Sequence, residues 1–331
     1  METKISPMRK FKNWITSGKV NKRLCMITFM IVPLLLLLVF TYIPFFKMFE
    51  FSMYKMKYIG AREYVGFQNY IDVFSREDCF GALKLSLYYM AASFVQLGLA
   101  LWFATLLSDQ RKGNGLFKGM MFVPYLVCGI AVGFIFKFFY TRGFVLDTVL
   151  GWCGFDLENL PYWLKDKNIN NISLAASSIW RYMGQNMVLF IGAIMSVDSE
   201  LYEAASIDGA NGWQRFRFIV FPSIKTIIVL NMILSISGSL SAFEAPFVIT
   251  KGQFGTGTYF VIMNRLAHET QKVGLASAMA IVLLGLIFLA TLLQKVVVAY
   301  FFGEGQNESI REKRRIAKRQ KQLEAEKGGV A

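Results

Sequence analysis

Apolar positions in this chain come in long uninterrupted runs, with little of the alternation that marks a half-exposed helix or strand. The first run, Leu24 to Phe46, holds 23 residues without a charge. A helix needs about 20 mainly apolar residues to cross the hydrocarbon core of a bilayer. This run therefore predicts a membrane span, and it is too long for the core of a signal peptide. Runs of the same kind predict five more spans: Leu85 to Leu107, Gly119 to Tyr140, Ser173 to Met195, Ile224 to Ile249 and Val273 to Phe302. The reading is an all-α, polytopic membrane protein with six transmembrane helices. A tail at 1–23 precedes a membrane domain at 24–302, and a basic tail follows at 303–331. Pro33 and Pro44 should bend the first span, because each removes a backbone donor.

Composition strengthens this picture: 55% of residues are hydrophobic, 15% aromatic and only 18% charged, where a soluble protein carries about a quarter. The chain has 36 Lys and Arg against 22 Asp and Glu, and the excess is distributed unevenly. The N-terminal tail, the loops 108–118 and 197–223 and the C-terminal tail together carry 20 of the basic residues. The alternate loops, 47–82, 141–171 and 250–272, carry 11 over the same total length. The excess of basic residues marks the cytoplasmic side, which predicts a multi-pass plasma-membrane protein with both termini in the cytoplasm. The run Arg311 to Lys321 does not read as a nucleic-acid site, since Glu312 interrupts it and no stacking aromatics accompany it. Metal chemistry is excluded as well: Cys25, Cys79, Cys128 and Cys153 show no paired spacing, and His268 is the single histidine.

The third, fourth and sixth spans carry Lys137, Arg181 and Lys295. Lys137 and Lys295 fall near predicted helix ends, where a long side chain snorkels to the interface, but Arg181 lies too deep for that. It must pair with an acid or contact a solute, and Glu244 is the nearest predicted partner. Around it, Ser178, Trp180, Tyr182 and Gln185 gather within about two turns of helix, a polarity that belongs against a cavity. The fifth span adds Asn231, Ser235, Ser237, Ser239 and Ser241. Serines in membrane helices also serve close packing, so both roles stay open for them.

The loop 197–223 is short of basic charge and rich in apolar residues. Asp198, Glu200 and Glu203 suit the N-terminal part of a helix, Gly209 should stop it in a left-handed turn, and Asn211 should cap a second short helix. Trp213, Phe216, Ile219 and Val220 then recur at helical spacing, and Pro222 fits the first turn of the next span. Ala204 and Ala205 leave little bulk, so another protein's surface can approach closely, with Glu203 as an anion for a basic partner group. The loop reads as a docking element.

The pattern Glu203-Ala204-Ala205, three residues, Gly209, nine residues, Ile219, one residue, Phe221 and Pro222 resembles the EAA loop of bacterial ABC-importer permeases. Phe221 stands where that family usually has leucine. Leu201 to Ala205 with Asp208-Gly209-Ala210, Val123-Pro124-Tyr125, Trp180 and Phe243 to Phe247 followed by Thr250-Lys251-Gly252 are similar to carbohydrate-uptake permeases related to the larger maltose-transporter subunit. The resemblance covers roughly residues 30–300. Gly252-Gln253-Phe254 departs from a common Gly-Gly-Pro, which puts the local turn in question.

The resemblance implies a type I ABC importer permease (MetI-like) fold. It implies an ATPase-coupling role for Glu203, Ala204, Ala205, Asp208, Gly209 and Pro222. It implies a substrate pathway along Tyr125, Ser178, Arg181, Tyr182, Gln185, Ser235, Ser239 and Glu244. The implied partners are a second homologous permease, a cytoplasmic ABC ATPase dimer, an extracellular or periplasmic solute-binding protein, membrane lipid and a sugar substrate. ATP and Mg belong to the partner ATPase and no cofactor is bound by this chain, which has no GxxxxGK[ST] phosphate loop. An importer for another polar solute, such as a glycerol phosphodiester or polyamine, is the alternative. A membrane enzyme is disfavoured, because the spans offer no Ser/His pair, no HExxH and no carboxylate pair.

Overall fold

The computed structural model describes residues 18–108 and 113–328. Most of the N-terminal tail, to residue 17, and residues 109–112 of the loop 108–118 lie outside the described residues. The first span begins as α1 (Gly18–Leu37), passes through a π-helical turn (Leu38–Tyr42) and continues as α2 (Ile43–Ser52). Cys25–Ser52 runs as one span without a break at either proline. Pro44 has no N–H, and its ring crowds the carbonyl four residues back. The π turn meets this locally, with the Ile43 N–H donating to the Leu38 carbonyl five residues away. This span packs little of itself against the rest of the chain, and Phe29 and Phe40 are among its most exposed side chains. An exposed helix that is apolar all round suits contact with lipid.

A short hairpin follows, β1 (Tyr54–Lys55) against β2 (Glu63–Tyr64), antiparallel with Tyr54 opposite Tyr64. It leads into α3 (Gln68–Ser75) and the long α4 (Glu77–Leu107). The expected third span, Gly119 to Tyr140, is not one helix. It divides into α5 (Asn114–Leu126) and α6 (Gly129–Tyr140), bent 97° at the extended residues Val127 and Cys128. Pro124 withholds its donor from the last turn of α5, which weakens the helix where it stops. Lys137 falls in the last turn of α6.

After α7 (Val145–Trp152), α8 (Asn170–Met195) occupies the place of the expected fourth span. Its 26 residues span about 39 Å at 1.5 Å per residue, ample for a bilayer. Its composition is too polar to stand among the four described helices that are long and apolar enough to cross. The expected fifth span is also interrupted. α11 (Phe221–Leu240) ends before Ser241, and a short α12 (Glu244–Ile249) starts after the break; α9 and α10 form the preceding loop. Serine, alanine and phenylalanine at 241–243 keep hydropathy high while the backbone leaves the helix, so the apolar run hides the break. α13 (Tyr259–His268) precedes α14 (Val273–Gly328), in which the last span and the C-terminal segment form one continuous helix.

Three buried clusters hold these helices. Cys79, Ala82, Tyr259, Met279 and Leu283 join α4, α13 and α14. Tyr89, Val132, Phe136, Leu174 and Ile249 join α4, α6, α8 and α12. Leu97, Ala100, Met187, Phe190, Ile194, Val220 and Ile224 join α4, α8 and α11 near the loop 197–223. Two glycines permit the closest backbone approaches: a Cβ at Gly184 would overlap the Met121 carbonyl of α5, and one at Gly274 would overlap the Tyr54 carbonyl. Gly184→Val should therefore destabilise the detergent-solubilised protein by about 1–3 kcal/mol. Gly192→Ala on the same helix, where a Cβ meets nothing within 4 Å, should be neutral or slightly stabilising. Thermal unfolding of both variants checks this, and equal effects would contradict the packing assignment.

Candidate functional site

Between the last two clusters, α4 and α8 each present polar residues to a common cavity. α6, α11 and α12 close the remaining sides of a cavity of about 410 Å³. α8 contributes Ser177, Ser178, Arg181, Tyr182, Gln185 and Asn186, all on one helix face. α11 contributes Asn231, Ser235 and Ser239, and Glu244 enters from the first turn of α12. Arg181 and Glu244 are the only charged residues among those lining it.

They form an ion pair, with Arg181 Nη1 donating to Glu244 Oε2. The arginine side chain is 14% exposed and the glutamate 47%. The guanidinium also lies over the Tyr182 ring, 5.0 Å from its centroid, a cation–π contact. Its Nε is buried without a hydrogen-bond partner. Gly129, the first residue of α6, abuts the glutamate carboxylate so closely that any Cβ would overlap it. A helix N-terminus favours negative charge, so the bend that starts α6 here also suits the carboxylate.

Seven of the eight expected pathway residues line this cavity: Ser178, Arg181, Tyr182, Gln185, Ser235, Ser239 and Glu244. Tyr125 is not among the lining residues and stands behind Tyr182, the ring centroids 6.2 Å apart. The Ser239 hydroxyl turns back to its own helix and donates to the Ser235 carbonyl at 2.7 Å. Sequence reasoning missed the wall made by α4. There Tyr89, Ser93 and Gln96 recur at steps of four and three, with buried Ser86 one turn earlier on the same face. This polar stripe on an otherwise apolar helix was the available signal.

A loop of short helices lies beyond the cluster at the far ends of α4 and α8. α9 (Ser199–Ile207) carries Glu203, Ala204 and Ala205, with Glu203 and Ala204 exposed. It ends as a Schellman motif: the Gly209 N–H donates to the Ser206 carbonyl at 3.2 Å and the Ala210 N–H to the Ala205 carbonyl at 2.9 Å. Gly209 has φ +74°, the left-handed conformation this closure needs. α10 (Gly212–Arg215) starts with a reciprocal capping box between Asn211 and Gln214. A π turn (Phe216–Val220) then delivers the chain to α11, with Pro222 in its first turn. Tyr202 and Phe216 anchor the loop to the cluster of Phe190 and Ile194, while Leu201, Ile207, Trp213 and Phe218 remain exposed.

The turn after α12 departs from a Gly-Gly-Pro geometry. Lys251, Gly252, Phe254 and Gly255 all have positive φ, with Phe254 at 57°, a value proline cannot adopt. Asn170 at the start of α8 holds this turn by donating to the Phe254 carbonyl at 2.8 Å.

A bundle of apolar helices around a polar central cavity, with an anchored elbow of short helices at one end, defines a membrane transport subunit. The comparisons with known proteins agree. Residues 96–299 match the family model described as "Binding-protein-dependent transport system inner membrane component", and the chain belongs to that family. As a member it is an ABC transporter permease and not an enzyme. It is 29% identical over 277 residues to the arabinooligosaccharides transport system permease protein of Bacillus subtilis, covering 81% of this chain and 86% of that one. It is 26% identical over 272 residues to the probable starch degradation products transport system permease protein of Thermoanaerobacterium thermosulfurigenes, covering 80% and 91%. Its fold is similar, at TM-score 0.74 and 19% identity, to a chain of a bacterial alginate ABC transporter in complex with alginate pentasaccharide-bound periplasmic protein, covering 87% and 98%.

An added Cβ at Gly209 meets nothing within 4 Å, so a substitution there acts only through the left-handed backbone. Gly209→Val should cost about 1–2 kcal/mol and Gly209→Asn distinctly less. Thermal unfolding of the two purified variants measures the difference, and a valine as benign as asparagine would contradict the Schellman closure.

Proposed function

We propose that this chain is the permease subunit of an ATP-driven, binding-protein-dependent importer for an oligosaccharide or related glycoside. The observation that carries the reading is the cavity: hydroxyl and amide side chains with the ring of Tyr182 line it, and its two charged residues neutralise one another. Sugars present many hydroxyls, which take neutral donors and acceptors, and apolar ring faces, which stack on aromatics. The names of relatives that transport arabinooligosaccharides and starch degradation products lend support.

In this reading Ser178, Arg181, Tyr182, Gln185, Ser235, Ser239 and Glu244 border the solute path, and Tyr125 acts from behind Tyr182. Glu203 pairs with a basic group of a cytoplasmic ATPase. Ala204 and Ala205 permit close seating, Asp208 and Gly209 end the docking helix, and Pro222 begins the helix that carries the motion inward. The assembly comprises this chain, a second homologous permease, two ATPase subunits and a solute-binding protein on the outer side, with both termini of this chain in the cytoplasm. Closure of the ATPases shifts the population between inward- and outward-facing states, and the differential contacts of each state with its ligands set the balance.

The test is solute-stimulated ATP hydrolysis in proteoliposomes containing the assembled importer, its binding protein and a panel of oligosaccharides. One glycan should stimulate turnover, and Glu203→Lys should reduce that stimulation by about tenfold or more through like-charge repulsion at the docking face. Stimulation by a non-carbohydrate solute alone would overturn the substrate class. Full stimulation in the Glu203→Lys variant would overturn the coupling role.

A further inference from the structure

We infer that Glu244 is a charge-selectivity residue: it occupies, as a built-in carboxylate, the place in the cavity that an acidic sugar would otherwise take, and so restricts the path to uncharged glycans. The inference rests on the reading of the cavity as a carbohydrate path. Arg181 presents the one cation in the lining, deep on α8, with its side chain only 14% exposed. A guanidinium in such a place is a ready partner for a carboxylate, to which its N–H groups donate charge-assisted hydrogen bonds. Here the partner is supplied by the chain itself, from the first turn of α12. Gly129 leaves the room that carboxylate fills, since any side chain at that position would overlap it.

The arrangement has two consequences for a solute. A neutral sugar meets a lining of no net charge and can bond to the hydroxyls and amides without disturbing the pair. A uronate-type sugar must either displace Glu244 from Arg181 or place its own carboxylate beside that of Glu244. The first strips the glutamate of its counter-charge, and the second sets like charges together in a partly desolvated space. Selectivity of this kind comes from repulsion as much as from attraction, and removing the repelling group should broaden it.

The experiment measures binding by calorimetry to the purified, fully assembled importer without its binding protein, so that delivery does not mask the permease's own preference. The probes are digalacturonate, galactobiose as its neutral counterpart, and diglucosamine as a cationic one. Wild type should favour galactobiose over digalacturonate. Glu244→Gln should shift that ratio toward the acid by about tenfold or more, with the gain weakened by salt and absent in the Arg181→Gln/Glu244→Gln double variant. The mirror variant, Arg181→Gln, should gain affinity for diglucosamine by a similar factor, which keeps the inference testable if Glu244→Gln does not assemble. An unchanged ratio in assembled Glu244→Gln, or no gain for the cation in Arg181→Gln, would overturn it. Failure of wild type to bind any uncharged glycan of the oligosaccharide panel, with the acid still gained in Glu244→Gln, would overturn the carbohydrate reading and leave the charge role standing.

Discussion

A guanidinium placed halfway along a membrane-crossing helix must find its hydrogen bonds and its counter-charge where water is scarce, at a cost of several kcal/mol if it does not. In this protein Glu244 supplies Arg181 with a counter-charge and a hydrogen bond and the face of Tyr182 adds a cation–π contact, while the Nε keeps no partner. Glu244 reaches it because α11 stops at Leu240 and a new helix begins with the glutamate in its first turn. The carboxylate in turn needs space beside α6, which therefore begins at a glycine. The interrupted fifth span, the bent third span and Gly129 thus meet at one charge pair. A membrane tolerates irregular backbone at depth only where protein or a cavity covers it, and both breaks adjoin the cavity.

The same helices carry the cavity to the elbow loop. α4 and α8 pack along one another past the cavity and end in the cluster of Leu97, Phe190 and Ile194, against which Tyr202 and Phe216 of the loop are seated. Between the loop and α11 stands a π turn, closed by the Phe221 N–H donating to the Phe216 carbonyl. It immediately precedes Pro222, as the π turn of the first span precedes Pro44. In each case the missing proline donor is met by lengthening one turn, so the helix continues without breaking. The last short helix of the elbow, α10, is therefore joined to α11 by unbroken helical backbone.

Hydropathy reveals where the chain crosses but is blind to where a crossing helix breaks. Val127, Cys128 and the residues 241–243 are as apolar as their helical neighbours, so the two breaks left no trace in the pattern. The loop was more legible, because its structure is local: a glycine at a left-handed position and an Asn/Gln capping box are written in adjacent residues. The cavity was legible from α8 and α11, where polar residues cluster. It was missed on α4, where Tyr89, Ser93 and Gln96 are diluted by a long apolar background and only their helical spacing aligns them. Tyr125 shows the limit of position without geometry, since the bend after α5 leaves it behind Tyr182.

The ion pair is also held from outside the cavity, and this bears on how it acts. Asn170 at the start of α8 donates to the Phe254 carbonyl, and Thr258 donates to the Ala242 carbonyl at 2.6 Å just before Glu244. Arg181 lies 11 residues further along α8, about 16 Å at the helical rise. The helix bearing the cation and the segment bearing the anion are thus tied at two levels, at the turn 250–256 and at the pair itself. The backbone that carries Glu244 is thus fixed on both sides of the helix it starts, and the position from which the carboxylate reaches Arg181 is set by the outer turn as well as by the cavity.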